Sequence, residues 1–415
     1  MKRSLIIKAV LLACILMFGR MDPVSGEPQD SILAKKALRI HNRIISVDSH
    51  TDTPLRMMQE GFDLGKSHDP RIDRSMVDIP RMKEGRLDGA FFAVFVSQGK
   101  RDPETSRKTT TQARILFDTL LSSVARNPGT AGMALSATDA RKLKKEGKAA
   151  IFIGIENGYA LGKEISLVDT FYRMGARYIT LCHTKNNDLC DSSTDTTEHN
   201  GLSRYGREVV KEMNRIGMMV DVSHLSDRSF YDVLEVSETP VIASHSCARS
   251  LCPNPRNLDD EMLKALAEHG GVIQMCILSE YVKTPDPNPR RDSARAAVRA
   301  KFNNFEGLSE EVMKEARKEW YAVNDLFPRK LASVSDVADH IDHIVKVAGI
   351  RHVGIGTDFD GGGAVDGCLD ASGMKNITVE LLRRGYTAGQ LRKIWGGNLF
   401  RVMRKAEETA KKHRG

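Results

Sequence analysis

Eight short apolar runs, spread over residues 46–360, constrain the fold of this chain more than any other feature. Apolar and polar positions alternate only weakly within them, which is typical of strands buried on both faces, as in a parallel sheet. Amphipathic stretches that close on a glycine, such as 202–216 before Gly217 and 261–269 before Gly270, precede two of the runs and give the rhythm of βα units. The runs are SVDSHTD (46–52), GAFFAVFVS (89–97), AAIFIGIEN (149–157), YITLCHT (178–184), MMVDVSH (218–224), PVIASHS (240–246), GGVIQMC (270–276) and HVGIGTDFD (352–360).

Six of the eight runs deliver a side chain that binds metal ions or transfers protons. Every strand of a (β/α)₈ barrel opens at its C-terminal end onto one face of the molecule, where the chemistry sits. We therefore predict an α/β fold, a (β/α)₈ TIM barrel, whose cup gathers residues 300 positions apart into a metal site. These residues are His50 with Asp52, Glu156, His183, His224, His245 and Asp358.

Residues 27–415 are predicted to form a single catalytic barrel domain. A charged insert at about 282–335 interrupts the rhythm: three prolines open it and a Lys/Arg/Glu-rich helical stretch follows from about 291 to 322. Such charge runs usually indicate a solvated helical face. Because the insert leaves from the end of the seventh run, we expect it to help wall the site. Residues 62–87 are polar and are predicted to be a loop after the first strand.

Residues 1–26 have the order of a secretory signal peptide. Lys2, Arg3 and Lys8 precede an apolar stretch over 9–18, and small residues at 24–26 offer a cleavage point. A membrane-spanning helix needs about 20 apolar residues, roughly twice the number present. We predict an exported protein, periplasmic or extracellular. The segment around Cys14 faintly resembles a lipoprotein cleavage box, so membrane association is expected only if Cys14 is lipidated.

Net charge argues against nucleic acid as a partner. The formal charge is +8, and residues 1–26 hold four basic residues and one acidic residue, so their removal leaves +5. A surplus that small, spread over the chain, gives no clustered basic stripe. Six cysteines remain outside residues 1–26, which permits 15 disulfide pairings; buried free thiols are an equal alternative.

The carboxylates and histidines at the strand ends suit a divalent metal ion. His50 and Asp52 are two positions apart on a strand, so they point to the same side and can chelate one ion. Glu156 follows a very apolar run, where burial of a carboxylate costs several kcal/mol unless a cation compensates. A salt bridge is one explanation, and a carboxylate that bridges two ions is the other. With His224 and His245 as neutral imidazoles, the set suits zinc.

His183 and Asp358 have less definite roles. His183 is a candidate ligand, a core histidine or a donor to negative charge in a transition state. Asp358 lies in a glycine-rich segment at the eighth strand end, where a carboxylate is well placed to transfer protons from water. Asp360 is close to it in sequence but lies outside the strand.

At these residues the chain closely resembles the membrane dipeptidase family (renal dipeptidase, peptidase family M19). The matching elements cover nearly all of residues 40–405 in the family's order. They are S-V-D-S-H-T-D, G-I-E-N-G, L-C-H-T-K-N-N, G-L-S-R-Y-G-R-E-V-V-K-E-M-N-R-I-G followed by D-V-S-H, then S-H-S, R-N-L-D-D and G-T-D-F-D-G.

The resemblance implies a barrel of the metal-dependent hydrolase type, two zinc ions and cleavage of dipeptides by metal-activated water. It assigns His50 and Asp52 to one zinc, His224 and His245 to the other, and Glu156 to both. His183 matches the histidine beside the substrate carbonyl and Asp358 the acid/base carboxylate. Arg256 matches the residue that binds the terminal carboxylate of the dipeptide, a task suited to a bidentate guanidinium. Tyr281 fits a substrate-binding tyrosine imperfectly and is left out of the predicted site.

Two alternatives belong to other functional classes. Another binuclear amidohydrolase, acting on a non-peptide amide, commonly has HxH on the first strand and a bridging lysine on the fourth, whereas this chain has HxD and a glutamate on the third. A catalytically inactive binding protein on the same barrel would be expected to lose a ligand, and none is lost. A homodimer is a possible assembly.

Overall fold

The structure of the chain is a computed structural model that describes residues 29–69, 74–305 and 308–414. The predicted signal peptide and Cys14 lie outside these residues. Among the described residues, no helix is both long and apolar enough to cross a membrane.

Eight parallel strands form a barrel in the order β1-β2-β4-β5-β6-β7-β8-β9. The first and last strands meet at their carboxyl ends, where the Asp52 amide donates to the Phe359 carbonyl at 2.8 Å and the Asp358 amide donates to the His50 carbonyl at 3.1 Å. The predicted TIM barrel is confirmed. The strands are β1 (Val47–Thr51), β2 (Gly89–Phe95), β3 (Ala131–Met133), β4 (Ala149–Glu156), β5 (Ala176–Thr180), β6 (Met219–Asp221), β7 (Ile242–Ser246), β8 (Val272–Met275) and β9 (Val353–Ile355).

Helices surround the barrel, and their ends follow local sequence signals. In α7, for example, the Ser203 hydroxyl accepts the Gly206 amide at the start, and Gly217 with φ +89° ends the helix. The helices of the described residues are α1 (Gln29–His41), α2 (Thr53–Met57), α3 (Ile79–Glu84), α4 (Pro103–Ala125), α5 (Ala137–Lys145), α6 (Ser166–Met174), α7 (Arg204–Ile216), α8 (Asp227–Val236), α9 (Asp260–Glu268), α10 (Ser279–Val282), α11 (Pro289–Lys301), α12 (Glu310–Leu326), α13 (Val334–Ala348), α14 (Met374–Arg383), α15 (Ala388–Arg392) and α16 (Asn398–Arg414).

The predicted runs differ from the strands in two respects. Three runs extend at least three residues past their strands, so that His183, His224 and Asp358 lie on the turns that follow β5, β6 and β9. The three-residue strand β3 was not predicted, because it is too short to show a pattern; it shares one edge of β4 with β5. The segment predicted as a loop, 62–87, contains the short helix α3.

The insert forms two helices, α11 and α12, where a single helical stretch was expected. They share a small core in which Val298, Phe302 and Ala316 are buried and Trp320 packs against them. The α12 helix also contacts the segment after β1, because Arg74 lies over the Tyr321 ring at 4.1 Å and within 3.2 Å of Asp325.

The amino end of the barrel is closed by apolar side chains. Helix α16 places Phe400 and Met403 against side chains that point into the barrel from the strands. Phe152 stacks on Phe91 with ring centroids 4.6 Å apart and lies 5.9 Å from Phe400. This face is therefore a packed core, and the chemistry is left to the opposite face.

The cysteines outside residues 1–26 are free and buried, which favours buried thiols over disulfides. They are Cys182, Cys190, Cys247, Cys252, Cys276 and Cys368.

The Tyr178 ring crosses the barrel interior through space left by Gly154. The two residues are partners in the β4–β5 register, and a Cβ on Gly154 would lie 2.0 Å from Cζ of Tyr178. Gly154→Ala is therefore expected to lower the free energy of unfolding by about 1–3 kcal/mol through overpacking. Urea unfolding measures this change. Gly129→Ala is the matched control, since a Cβ there meets nothing within 4 Å; equal effects of the two substitutions would contradict the packing argument.

Candidate active site

The predicted site residues converge at the carboxyl end of the barrel. His50, Glu156 and His245 lie within their strands, β1, β4 and β7, and Asp52 follows β1 directly. His183, His224 and Asp358 reach the same cup from the turns after β5, β6 and β9. Seven residues from six strands thus meet although Asp358 follows His50 by more than 300 positions in sequence.

Glu156 is at the centre of this cluster, and its two oxygens face different neighbours. Its Oε1 lies 3.2 Å from Nε2 of His224, 3.5 Å from Nε2 of His245 and 3.8 Å from Nε2 of His183. Its Oε2 lies 3.6 Å from Nε2 of His50. A carboxylate arranged in this way offers one oxygen to each of two groups of ligands.

The spacing of the donor atoms fits metal ions. Two ligands bound to one tetrahedral ion at 2.0–2.1 Å are roughly 3.3 Å apart, and Nε2 of His224 and Nε2 of His245 are 2.9 Å apart. Nε2 of His50 and Oδ1 of Asp52 face the cup, 3.9 Å apart, and neither has a hydrogen-bond partner among the described residues. Buried polar atoms without partners are costly, so a cation between these atoms would satisfy both. The residues therefore fit a metal centre.

Three overlapping groups of possible ligands share this cluster. Within each group the ligand atoms lie within 4.8 Å of one another. The groups are His50, Glu156 and His245; Glu156, His183 and His224; and His50, Asp52 and Asp358.

The carboxylates of the cup stabilise positive charge. Burial by itself lowers the pKa of His50, but Glu156, Asp52 and Asp358 outweigh it and raise that pKa to about 10. Burial tends to raise the pKa of Glu156, whereas the imidazoles of His50 and His183 hold it well below the usual range. Burial raises the pKa of Asp52 well above its usual value, with repulsion from Glu156 adding to the effect.

The imidazoles on the other side of Glu156 are kept neutral. Burial lowers the pKa of His224 and of His245 well below the usual value, and the positive charge of Arg256 lowers both further. Burial also lowers the pKa of His183. Neutral imidazoles are the form that binds metal ions.

Three residues that follow strand ends at the cup have a strained backbone. Asn157, His224 and Asp358 have φ of +75°, +70° and +63°, in the left-handed region that non-glycine residues rarely adopt. Each directs the chain sharply after a strand end. Such strain costs of order 1–3 kcal/mol per residue and is characteristic of functional sites.

Arg256 lies beside the cluster and is almost completely buried, with 3% of its surface exposed. Its guanidinium donates to the His245 carbonyl at 3.0 Å and lies 5.4 Å from the Tyr281 ring centroid. Among the described residues no carboxylate lies within ion-pair distance of it. The acidic residues close to it in sequence have other partners, since Asp259 contacts Arg249 and Asp260 contacts His343. The positive charge of Arg256 is therefore available to a ligand in the cup.

His183 lies in the accessible part of the cup, whereas Asp358 is buried. The His183 side chain is 25% exposed, and its ring meets Phe95 edge-on with centroids 4.8 Å apart. Burial raises the pKa of Asp358 well above the usual range, and the nearby Asp52 adds to this. Asp360, in contrast, accepts hydrogen bonds from Thr53 and the Met76 amide, so it holds the loop and does not face the cup.

The match to a family model follows this geometry over nearly the whole chain. Residues 34–415 match the model described as Membrane dipeptidase (Peptidase family M19). The chain belongs to the membrane dipeptidase family.

Individual relatives agree with this membership. The chain is 33% identical over 348 residues to Dipeptidase tcpJ of Claviceps purpurea (strain 20.1), covering 82% of this chain and 71% of that protein. It is 31% identical over 396 residues to Dipeptidase 3 of Rattus norvegicus, covering 93% and 70%. The crystal structure of the probable dipeptidase PvdM from Pseudomonas aeruginosa superposes with a TM-score of 0.79 at 30% identity, covering 92% of this chain and 100% of that one.

Membership of the membrane dipeptidase family confirms the predicted family and enzyme class, a metallo-dipeptidase type of hydrolase. A metallopeptidase family implies a bound metal, and the His, Glu and Asp cluster of this chain could hold one.

Several residues that contact the predicted ligands were missed in the sequence. The Tyr178 hydroxyl lies 2.9 Å from Nδ1 of His50, and the Ser244 hydroxyl lies 2.8 Å from Nδ1 of His245. Asp221 binds Ser244 in turn. The available signal was a polar residue inside an otherwise apolar run, as with Asp221 in M-M-V-D-V-S-H and Tyr178 at the start of its run.

Proposed function

We propose that this protein is a zinc-dependent dipeptidase that hydrolyses the peptide bond of dipeptides with water as the nucleophile. One observation carries the proposal: Glu156 directs one oxygen toward His224 and His245 and the other toward His50, in a barrel of the membrane dipeptidase family. The names of the relatives, Dipeptidase tcpJ and Dipeptidase 3, support the substrate class.

Two zinc ions would be held by five residues. His50 and Asp52 would bind one ion, His224 and His245 the other, and Glu156 both, as the directions of their donor atoms support. When bound, zinc acts as a Lewis acid on a carbonyl oxygen and lowers the pKa of water toward about 7.

Arg256 would bind the free carboxylate of the dipeptide. Its guanidinium is buried beside His245 without a carboxylate partner among the described residues, and a charged donor in such surroundings binds an anion strongly. Tyr281 lies against this guanidinium and would limit how it moves.

Asp358 would take a proton from the attacking water at its carboxylate and pass it to the nitrogen of the departing amine. Its raised pKa suits a group that must hold that proton between the two transfers. His183, on the accessible side of Glu156, would donate a hydrogen bond from its imidazole to the oxygen that becomes negative.

The serines next to the ligands are not suited to form a covalent intermediate. The Ser244 hydroxyl donates to Asp221 at 2.6 Å, and the Ser223 hydroxyl oxygen accepts the His245 amide at 3.1 Å. Both serines are completely buried. Direct attack by water is therefore the better reading of the site.

Export, the single catalytic domain over 27–415 and a homodimer stay predictions from the sequence. The order of residues in 1–26 supports export, and the spacing of the apolar runs supports a single domain.

Glu156→Gln is expected to reduce the zinc bound after reconstitution from two equivalents to one or fewer, because an amide offers one oxygen in place of two. Metal analysis of the purified proteins measures this. Glu146→Gln makes the same change at a surface glutamate paired with Lys148 and should keep two equivalents. A wild-type protein that binds less than one equivalent would contradict the metal centre.

Arg256→Met is expected to reduce kcat/KM for a dipeptide about 10- to 100-fold, the loss expected for a hydrogen bond to a charged group. The C-terminal amide of the same dipeptide should lose little, since it lacks the anion. Arg173→Met, which breaks a surface pair with Asp169, is the control. If Arg256→Met left the preference for dipeptide over amide unchanged, the assignment would be wrong.

Asp358→Asn is expected to reduce kcat about 10²- to 10⁴-fold through loss of proton transfer, while the zinc content stays at the wild-type level. Rapid-mixing kinetics of the wild type should show no burst of an acyl-enzyme. Near-normal turnover of Asp358→Asn, or a burst in the wild type, would contradict the mechanism.

A further inference from the structure

Two of the proposed zinc-binding histidines accept or donate a hydrogen bond at Nδ1, the ring nitrogen that faces away from Glu156. Nδ1 of His50 lies 2.9 Å from the Tyr178 hydroxyl, and Nδ1 of His245 lies 2.8 Å from the Ser244 hydroxyl. In both imidazoles the other nitrogen, Nε2, faces Glu156. The direction of each hydrogen bond therefore decides which nitrogen carries hydrogen and which one offers a lone pair to the cup.

The direction of the bond at His50 follows from the single proton of the tyrosine hydroxyl. Tyr178 donates to the Ser49 carbonyl at 3.2 Å, and a carbonyl can only accept. The hydroxyl oxygen is then an acceptor for Nδ1–H of His50. This geometry depends on Gly154, because any side chain there would occupy the position of the Tyr178 ring. In the neutral imidazole, the form that binds a metal ion, Tyr178 thus keeps the one hydrogen of His50 on Nδ1.

The direction of the bond at His245 follows from the acceptors of Asp221. Oδ1 of Asp221 accepts the backbone amides of Ser223 and Ser244 at 3.0 and 2.8 Å. Oδ2 accepts the hydroxyl of Ser244 at 2.6 Å and that of Thr180. Because the Ser244 proton points to Asp221, the Ser244 oxygen accepts Nδ1–H of His245. The chain from Asp221 through Ser244 thus keeps the hydrogen of His245 on Nδ1.

The third imidazole of the metal set lacks such support. Nδ1 of His224 is buried and has no hydrogen-bond partner among the described residues. Its ring is instead placed by the left-handed turn at φ +70°. The two supported histidines also lie on opposite sides of Glu156, since His50 faces Oε2 and His245 faces Oε1.

We propose that Tyr178 and the Asp221–Ser244 pair are positioning residues. Tyr178 holds His50, and the Asp221–Ser244 pair holds His245, in the tautomer whose Nε2 lone pair faces the metal centre. The two histidines serve different halves of that centre. The inference rests on the proposed zinc centre and adds the residues that prepare it. Partners of this kind usually change metal affinity 10- to 100-fold when they are removed.

Asp221→Asn tests the second chain with little change in shape. The asparagine oxygen can replace Oδ1 and keep both backbone amides, while its NH₂ group replaces Oδ2. That group donates to Ser244, so the Ser244 proton turns toward His245, and Nδ1 must then accept. The hydrogen of His245 moves to Nε2 and blocks the lone pair. We expect one of the two zinc equivalents to bind 10- to 100-fold more weakly in a chelator competition, and the visible spectrum of the cobalt-loaded protein to change.

Two controls separate the tautomer from a general disturbance of the core. Thr180→Val removes the other hydroxyl from Oδ2 of Asp221 but leaves the bond to Ser244, so both equivalents should bind as in the wild type. Ser244→Ala should weaken one equivalent, and Ser244→Thr, which keeps a hydroxyl, should restore it.

Tyr178→Phe tests the first chain independently, since the ring remains and only the acceptor of His50 is lost. It should weaken one equivalent, and combination with Ser244→Ala should weaken both. If these variants keep a folded circular-dichroism spectrum and wild-type affinities for both zinc equivalents, the proposal is overturned. A wild-type protein that binds neither zinc nor cobalt would instead overturn the proposed function, and the positioning roles with it.

Discussion

Two backbone hydrogen bonds between the first and last strands hold the candidate site in one place. They join Asp52 to Phe359 and Asp358 to His50, at 2.8 and 3.1 Å. The buried carboxylate of Asp48 also accepts hydrogen bonds from the Thr357 amide and hydroxyl, at 2.8 and 2.5 Å. These bonds join the first strand to the segment after the last strand a second time. Because these bonds close the barrel, they place the proposed proton carrier Asp358 beside His50 and Asp52, the proposed ligands from β1. The other proposed ligands, Glu156, His224 and His245, are positioned by the order of their strands in the barrel.

Much of this arrangement could be predicted because residues that end successive parallel strands of a barrel meet on one face of the molecule. Glu156 ends the apolar run that begins at Ala149, and burial of a carboxylate there is costly unless a cation compensates it. His50 and His245 likewise end buried strands, so the parallel register alone brings them to one face. The exact ends of the strands were not predictable in the same way. His224 and Asp358 leave β6 and β9 through left-handed turns, and hydrophobic periodicity contains no information about where backbone pairing stops.

The contacts that prepare the ligands depend on the folded structure and were beyond sequence patterns. Tyr178 meets His50 across 128 positions of sequence, and the contact exists because Gly154 leaves room for the ring. The insert shows the same limit. Its charge pattern indicated a helix, but the packing of Arg74 on Tyr321 depends on helix α12 meeting the segment after β1, which is distant in sequence.

The candidate site contains groups that destabilise the folded chain, and apolar packing elsewhere in the barrel stabilises it. At the carboxyl end, left-handed residues and partnerless atoms such as Oδ1 of Asp52 each cost of order 1–3 kcal/mol. At the amino end, the buried rings of Phe152 and Phe400 pack in an aromatic core that stabilises the fold. A cation that satisfies the carboxyl end would bind the folded chain and not the unfolded one, so it would stabilise the fold by mass action. Loss of an inward-facing Nε2 lone pair would therefore have two consequences. It would weaken the proposed metal site, and it would remove part of the stabilisation that a bound metal would give to this end of the barrel.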